Sequence, residues 1–234
     1  MVSQYVAPPT RLVAIPTGGG YQSRFWLLPL AVVCVGAVWS YFVLGVTNLS
    51  SLAEKPDSAA QPGINHQILS LSPVFTPEVQ YWAPKILTWA EAAGLDPNLV
   101  ATVMQIESCG DPHALSRSGA MGLFQVMPYH FTATDDPYAP DTNALRGMDY
   151  LRRSLETGHG ESRLALAGYN GGIGVIGWSE FDWSAQTQHY AYWGSGIYAE
   201  ASSGALESNR LQEWLNANGV SLCKQANTRL GIEP

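Results

Sequence analysis

Between Phe25 and Val46 the chain reads FWLLPLAVVCVGAVWSYFVLGV, 22 residues without a charge. Coiled as a helix, such a run is about 33 Å long at ~1.5 Å per residue, enough to cross a hydrocarbon core of roughly 30 Å. Arg11 and Arg24 precede it with no acid, and the next charges beyond it are Glu54, Lys55 and Asp57. The excess of positive charge on the leading side predicts a single-pass anchor in the cell membrane, with residues 1–24 cytoplasmic and the rest extracytoplasmic. Trp26 near one end and Tyr41 with Phe42 near the other suit the two interfaces. The competing reading is a cleavable signal peptide with Ser51-Leu52-Ala53 as its cleavage site, although such peptides carry apolar cores of only about 7–15 residues. Cys34 lies inside the run behind Val32-Val33 and reads as apolar filling.

The run accounts for part of an unusual composition. Only 13% of the 234 residues are charged, against about a quarter in soluble domains. Beyond Val46 there are 10 basic and 19 acidic residues, a net of −9. An acidic domain has no basic face for phosphates, so no nucleic acid is expected as a partner. Residues 47–72 are rich in Ser, Asn, Pro, Ala and Gly without periodicity, which predicts a flexible linker.

Helix signals dominate the remainder. Thr76-Pro77 predicts a start, with a helix to Ala93, a kink at Pro84 and a stop at Gly94. Asp96-Pro97 repeats the start signal before Leu99, Val100, Val103, Met104 and Glu107 at helical spacing. Further helices are expected from Asp141 or Thr142 to Gly158 and from Glu161 to Gly168, with loops between residues 108 and 141. The fold class expected is mostly α.

Glu107 falls on the stripe of Val100, Val103 and Met104, which turns its carboxyl toward the apolar side of its helix. Burial disfavours the charged form, so a carboxyl held there keeps its proton to higher pH and can act as a general acid. The alternative is a helix-end glutamate that turns to solvent. Glu107-Ser108 is followed by SRSGAMGLFQVMP at 116–128 and AGYNGG at 167–172. In these motifs and their order the sequence resembles the SLT-type lytic transglycosylases, of the lysozyme-like superfamily and related to goose-type lysozyme, over roughly residues 73–200.

The resemblance implies a peptidoglycan lytic transglycosylase, a lyase cleaving the β-1,4 bond between MurNAc and GlcNAc and leaving a 1,6-anhydro end. It implies a lysozyme-like domain over 73–204, followed by a C-terminal extension, 205–234, to which no motif attaches. It makes Glu107 the catalytic acid and then base, and Ser108 a support for the substrate N-acetyl group or for the carboxyl. Ser116 belongs to the next block, Phe124 replaces the common methionine above the sugar, and Gln125 lines the cleft. Tyr169, Asn170 and Tyr190 complete the substrate-binding set. Gly168 stands where the family usually has alanine, and Gln186 where its last block has glutamate. Partners implied are glycan strands of peptidoglycan, with room for a cell-envelope assembly partner; on the same fold a hydrolytic muramidase and a non-catalytic wall-binding scaffold are the alternatives.

Glycosidases commonly use a second carboxylate. Asp111, Asp135, Asp136 and Asp141 are available by chain position, but none sits in a matched motif, and the family is thought to use the substrate N-acetyl group instead. Trp178, Trp183, Tyr190, Tyr192 and Trp193 are candidates for sugar stacking or for core packing. Gly172, Gly174 and Gly177 satisfy G-x-G-x-x-G without the strand that a dinucleotide site needs, and read as a mobile cleft edge. His66, His113, His130, His159 and His189 show no metal-ligand spacing and read as surface or loop residues, so neither metal nor cofactor is expected. Cys109 and Cys223, in an oxidising compartment, form either a disulfide or two unrelated buried thiols.

Overall fold

The computed structural model describes residues 70–232. The tail 1–24, the expected membrane segment 25–46 and nearly all of the linker 47–72 lie outside them. Among the described residues no helix is long and apolar enough to cross a membrane. The expected mostly α class holds there: eight helices, α1 (Pro77–Gln80), α2 (Ala83–Ala93), α3 (Pro97–Glu107), α4 (Pro140–Thr157), α5 (Ser162–Gly171), α6 (Ala185–Ser202), α7 (Asn209–Trp214) and α8 (Val220–Leu230). Strand pairing among these residues is limited to two isolated bridges, Leu115–Met121 and Met121–Val126.

The helix expected from Thr76 to Ala93 is broken in two. Pro84 has no N–H to give and fits only a first turn, so α2 restarts around it after Tyr81 and Trp82 instead of kinking there. The break lets the Trp82 indole donate to the Gly110 carbonyl at 2.9 Å. Gly94, at φ 66°, closes α2 in the left-handed conformation. The Asp96 side chain accepts from the Asn98 N–H at 2.7 Å and Pro97 occupies the first turn, so α3 starts where two local signals coincide.

Buried residues run continuously from Leu99 to Gln105, which makes α3 the central helix. α5 packs between α4 and α6, α6 also meets α3 and α7, and α2 covers α3 and α4. α4 begins at Pro140, which suits a first helical position, with Ala139 as its cap, earlier than expected, and the Asp141 carboxylate beside it is held by Lys85 and the Trp89 indole. α5 runs three residues past Gly168.

Residues 205–232 fold onto the helical body. Ser208 caps α7 by accepting from the Leu211 N–H at 2.9 Å, and Trp214 is buried. A short π-helical turn, Leu215–Gly219, leads into α8. Cys109 and Cys223 are joined as a disulfide with their Cα atoms 4.9 Å apart. Around it, fully buried Asp111 accepts from Gln225 at 2.8 Å with Arg229 at 3.5 Å, and Asn227 donates to Glu78 at 3.2 Å. Four links therefore tie α8 to the turn that follows α3 and to α1.

Candidate active site

Glu107 is the last residue of α3, and the chain leaves it abruptly. Ser108 has φ −140°, and Cys109 and Gly110 take positive φ values of 50° and 84°. The Ser108 hydroxyl fixes this exit: it donates to the Leu123 carbonyl at 2.7 Å and accepts from the Gly110 N–H at 3.1 Å. Glu107 is thereby aimed at one position by a backbone stop and a buried serine. Ser108 is fully buried and its hydrogen bonds are internal, so the expected contact with the substrate or with the carboxyl is replaced by a structural one.

The Glu107 side chain is partly accessible from a cavity of about 420 Å³ lined by Ile106, Asn170, Gln186, His189, Tyr190 and Trp193. Burial raises its pKa from 4.5 to about 8, and the Tyr190 hydroxyl opposes part of the rise. That contact falls short of a formed hydrogen bond, which leaves the Tyr190 hydroxyl buried and without a partner. Among the described residues no cation pairs with Glu107. The carboxyl is thus protonated at neutral pH yet opens on space for a ligand, the combination a general acid requires.

A second cavity of about 290 Å³ adjoins the first across Asn170. Gln125, Tyr129, His130, Tyr150, Tyr169 and Gly172 are among its walls. The Tyr169 hydroxyl donates to the Phe124 carbonyl at 2.7 Å, and Asn170 accepts from the Thr187 hydroxyl at 3.2 Å. Tyr129, His130, Tyr150 and Tyr169 form an unbroken row with ring centroids 4.6, 4.7 and 5.7 Å apart. Burial, and then the Arg153 cation, hold the His130 pKa below its usual value. Ring faces beside amides suit pyranose rings, whose C–H faces stack on aromatics.

The loop carrying Gln125 is held by Asn143, a fully buried residue of α4. Its side chain accepts from the Phe124 N–H at 2.8 Å and donates to the carbonyls of Met121 and Pro137, each at 2.8 Å. Gln125, at φ 47°, donates back to Ala114 and Gly122. Gly122, at φ 75°, has no room for a side chain, since a Cβ there would lie 2.4 Å from the Asn143 amide.

Of the expected site residues, Asn170 and Tyr190 line the Glu107 cavity, Gln125 and Tyr169 line the cavity adjoining it, and three line neither. Phe124 is in the core at 1% exposure, edge-on to Trp89, and Leu123 before it is buried in the same core. It offers no face to a sugar. Ser116 closes the 116–120 turn by accepting from the Ala120 N–H and lines neither cavity. Ser108 is the third.

Among the aromatic candidates, Trp193 lines the Glu107 cavity, while Trp183 is buried with its indole donating to Val175. Tyr192 lies under the Arg210 guanidinium at 3.7 Å, and Trp178 is exposed outside both cavities. His130 and His189, expected only as surface or loop residues, stand in the groove walls. Asn143, Tyr129 and Tyr150 escaped the sequence reading; a buried asparagine in a first helical turn leaves no mark in the pattern of apolar residues.

Among the described residues no second carboxylate lines the Glu107 cavity. Asp111 is engaged with α8, Asp135 with Arg146 at 2.7 Å, Asp136 with the Tyr138 N–H, and Asp141 with Lys85. The residues best spaced to hold a cation are Glu78, Cys109 and Cys223, whose two sulfurs are bonded to each other. A larger cavity of about 610 Å³ between α2 and α4 lies apart from Glu107, and its charged groups Asp141, Asp149 and Arg152 are already paired.

Residues 84–191, which contain Glu107, Gln125, Tyr169, Asn170 and Tyr190, match the Transglycosylase SLT domain. Over this stretch the chain is similar to the SLT transglycosylases. It is similar to a transglycosylase of Enterobacteria phage PRD1, 37% identical over 113 residues, covering 44% of this chain and 40% of the phage protein. It is also similar to the endo-type membrane-bound lytic murein transglycosylase A of Klebsiella pneumoniae, 39% identical over 62 residues, covering 24% of this chain and 30% of that one. The membrane-bound lytic murein transglycosylase C of Haemophilus influenzae is 31% identical over 115 residues, covering 41% of this chain and 32% of the relative. The chain thus spans 30–40% of the length of these relatives. A solved structure of an inactive mutant of the lytic transglycosylase Slt from Pseudomonas aeruginosa matches with a TM-score of 0.38 and 21% identity, covering 64% of this chain and 24% of that one.

Proposed function

We propose that this protein is a membrane-anchored peptidoglycan lytic transglycosylase that cuts the β-1,4 bond between MurNAc and GlcNAc. The observation that carries the reading is the Glu107 carboxyl, raised to about pKa 8 by burial, on a cavity that no other carboxylate among the described residues lines. Glu107 donates its proton to the glycosidic oxygen as the C1–O bond breaks, and the departing GlcNAc leaves with a free hydroxyl. The N-acetyl oxygen of MurNAc takes the place of a second carboxylate by closing on C1. The C6 hydroxyl then attacks C1, the bond to the acetyl oxygen opens, and the hydroxyl proton passes to the Glu107 carboxylate. A 1,6-anhydro ring results and Glu107 is protonated again.

Tyr190 stabilises the carboxylate between the two halves of the reaction, while Asn170, standing in both cavities, and Gln125 orient the strand. The row from Tyr129 to Tyr169 supports its rings. Residues 25–46 anchor the chain with 1–24 in the cytoplasm, 47–72 as tether, 73–204 as the catalytic domain and 205–234 as an extension, all beyond 46 outside the cytoplasm. The uncharged run and the names of the membrane-bound relatives support this arrangement. Mass spectrometry of digested sacculi is expected to find 1,6-anhydro ends; exclusively reducing ends would instead make the protein a hydrolytic muramidase. Binding to sacculi without cleavage would make it a wall-binding scaffold.

A further inference from the structure

A third cavity, of about 570 Å³, adjoins the Glu107 cavity along walls that both use, Ile106, His189 and Trp193, and shares no wall residue with the cavity of Tyr169. Its far wall comes from the C-terminal extension: Trp214, Ala217, Asn218 and Ser221 face it. These residues, like Trp193, fall outside the matched stretch 84–191. The wall is closely fitted, for Gly219 lies on the Trp214 indole, where a Cβ would approach ring carbons to 2.5 Å. The π-helical turn Leu215–Gly219 carries Ala217 and Asn218 outward at the edge, a distortion frequent at functional sites.

The chemistry of this compartment is narrow. Among the described residues no Asp, Glu, Lys or Arg lines it, while Ile106, Leu222 and the Trp193 indole supply an apolar surface. The polar groups are the Asn218 amide and the Ser221 hydroxyl, which donates to the Asn218 carbonyl at 2.9 Å and keeps its lone pairs for another donor. A half-buried indole tilted on His189, with ring centroids 5.4 Å apart, opposite a neutral amide and a hydroxyl fits a sugar ring with an N-acetyl group. The volume lies within the ~300–1,000 Å³ of small-ligand sites. A charged stem peptide would find no counter-charge there.

We propose that this compartment binds a further N-acetylhexosamine ring of the glycan strand, so that the C-terminal extension forms part of the substrate groove. The inference rests on the reading of Glu107 as the acid of a glycan-cleaving enzyme. Its test is calorimetric titration of the full chain, carrying Glu107→Gln to prevent turnover, with peptide-free GlcNAc–MurNAc oligomers of two, four and six sugars. Affinity should rise about tenfold once the oligomer is long enough to enter the compartment. Adding Ala217→Trp at an exposed position of the wall should remove that rise and leave the shortest oligomer that binds unaffected. Asn218→Ala, which adds no bulk, should remove about half of it on a logarithmic scale. Six-sugar binding as tight in both variants as in Glu107→Gln alone overturns the proposal. Failure of every oligomer to bind overturns the assignment of the whole groove to glycan, and this inference with it.

Discussion

The Tyr190 hydroxyl stands against the Glu107 carboxyl, buried and without a completed hydrogen bond of its own. Burial pushes the carboxyl up and Tyr190 holds it partly down, so the pKa of about 8 is set by two opposed effects. The acid form is needed for the first proton transfer. Activity on sacculi should therefore fall on the alkaline side with an apparent pKa of about 8. Tyr190→Phe removes the lowering contribution and should move that limb to higher pH by roughly 0.5–1 unit. A pH profile of the variant that moves down, or stays in place, refutes the assignment.

Glu107→Gln should reduce strand cleavage by about 10³-fold or more while sacculus binding persists. Its stability gives an independent reading. The folded pKa of Glu107 lies above its ordinary 4.5, so the stability contributed by the protonated form is complete below about 4.5 and lost as pH rises through about 8. Glutamine stays neutral throughout. Denaturant titration should find the variant more stable than the parent by about 2 kcal/mol above pH 8, and close to it near pH 4.5, the opening to the cleft reducing the full effect of the shift. Equal stability of the two proteins at high pH would show that the carboxyl is not held neutral.

Asn143→Ala leaves the Phe124 N–H and two carbonyls without the side chain that now pairs them. The expected destabilisation is about 2–4 kcal/mol. Because the same bonds hold the Gln125 loop, activity at temperatures where the variant stays folded should also decline, mainly through KM. A variant that unfolds earlier but cleaves normally when folded would confine Asn143 to stability.

Cys223→Ser opens the link between α8 and the turn after α3. For a closure over 114 residues the chain-entropy account gives roughly 4–5 kcal/mol. Thermal unfolding with and without reductant should bring the parent down to the variant and leave the variant unchanged. A reductant-insensitive parent would mean that the pair contributes nothing.

Glu107 was legible because Asp96-Pro97 fixes where α3 begins, and its register against Val100, Val103 and Met104 then follows from the helical period. Tyr169 and Asn170, near the end of α5, were legible only through the resemblance, since the helix expected from Glu161 stopped at Gly168 before reaching them. Phe124 was misread because it lies in a turn whose side-chain directions follow from Gly122 at φ 75° and Gln125 at φ 47°, which no periodicity encodes. The break at Tyr81–Trp82, which Pro84 imposes, also seats an indole bond to Gly110, 28 residues away. Tyr150 and His130 touch only because α4 returns past the 128–130 turn. Contacts of that kind are decided by packing, and the local pattern is silent about them.

The bond from Cys109 to Cys223 also imposes an order on the making of the protein. Cys109 is synthesised 114 residues before its partner, and almost the entire helical body separates the two. The sulfurs can meet only after the chain through Cys223 has reached an oxidising compartment and α8 has found its seat. A copy held back among cytosolic thiols would keep α8 on the hydrogen bonds and ion pair of Asp111 and Glu78 alone. On the proposed topology, the enzyme reaches full rigidity only on the side of the membrane where its substrate lies.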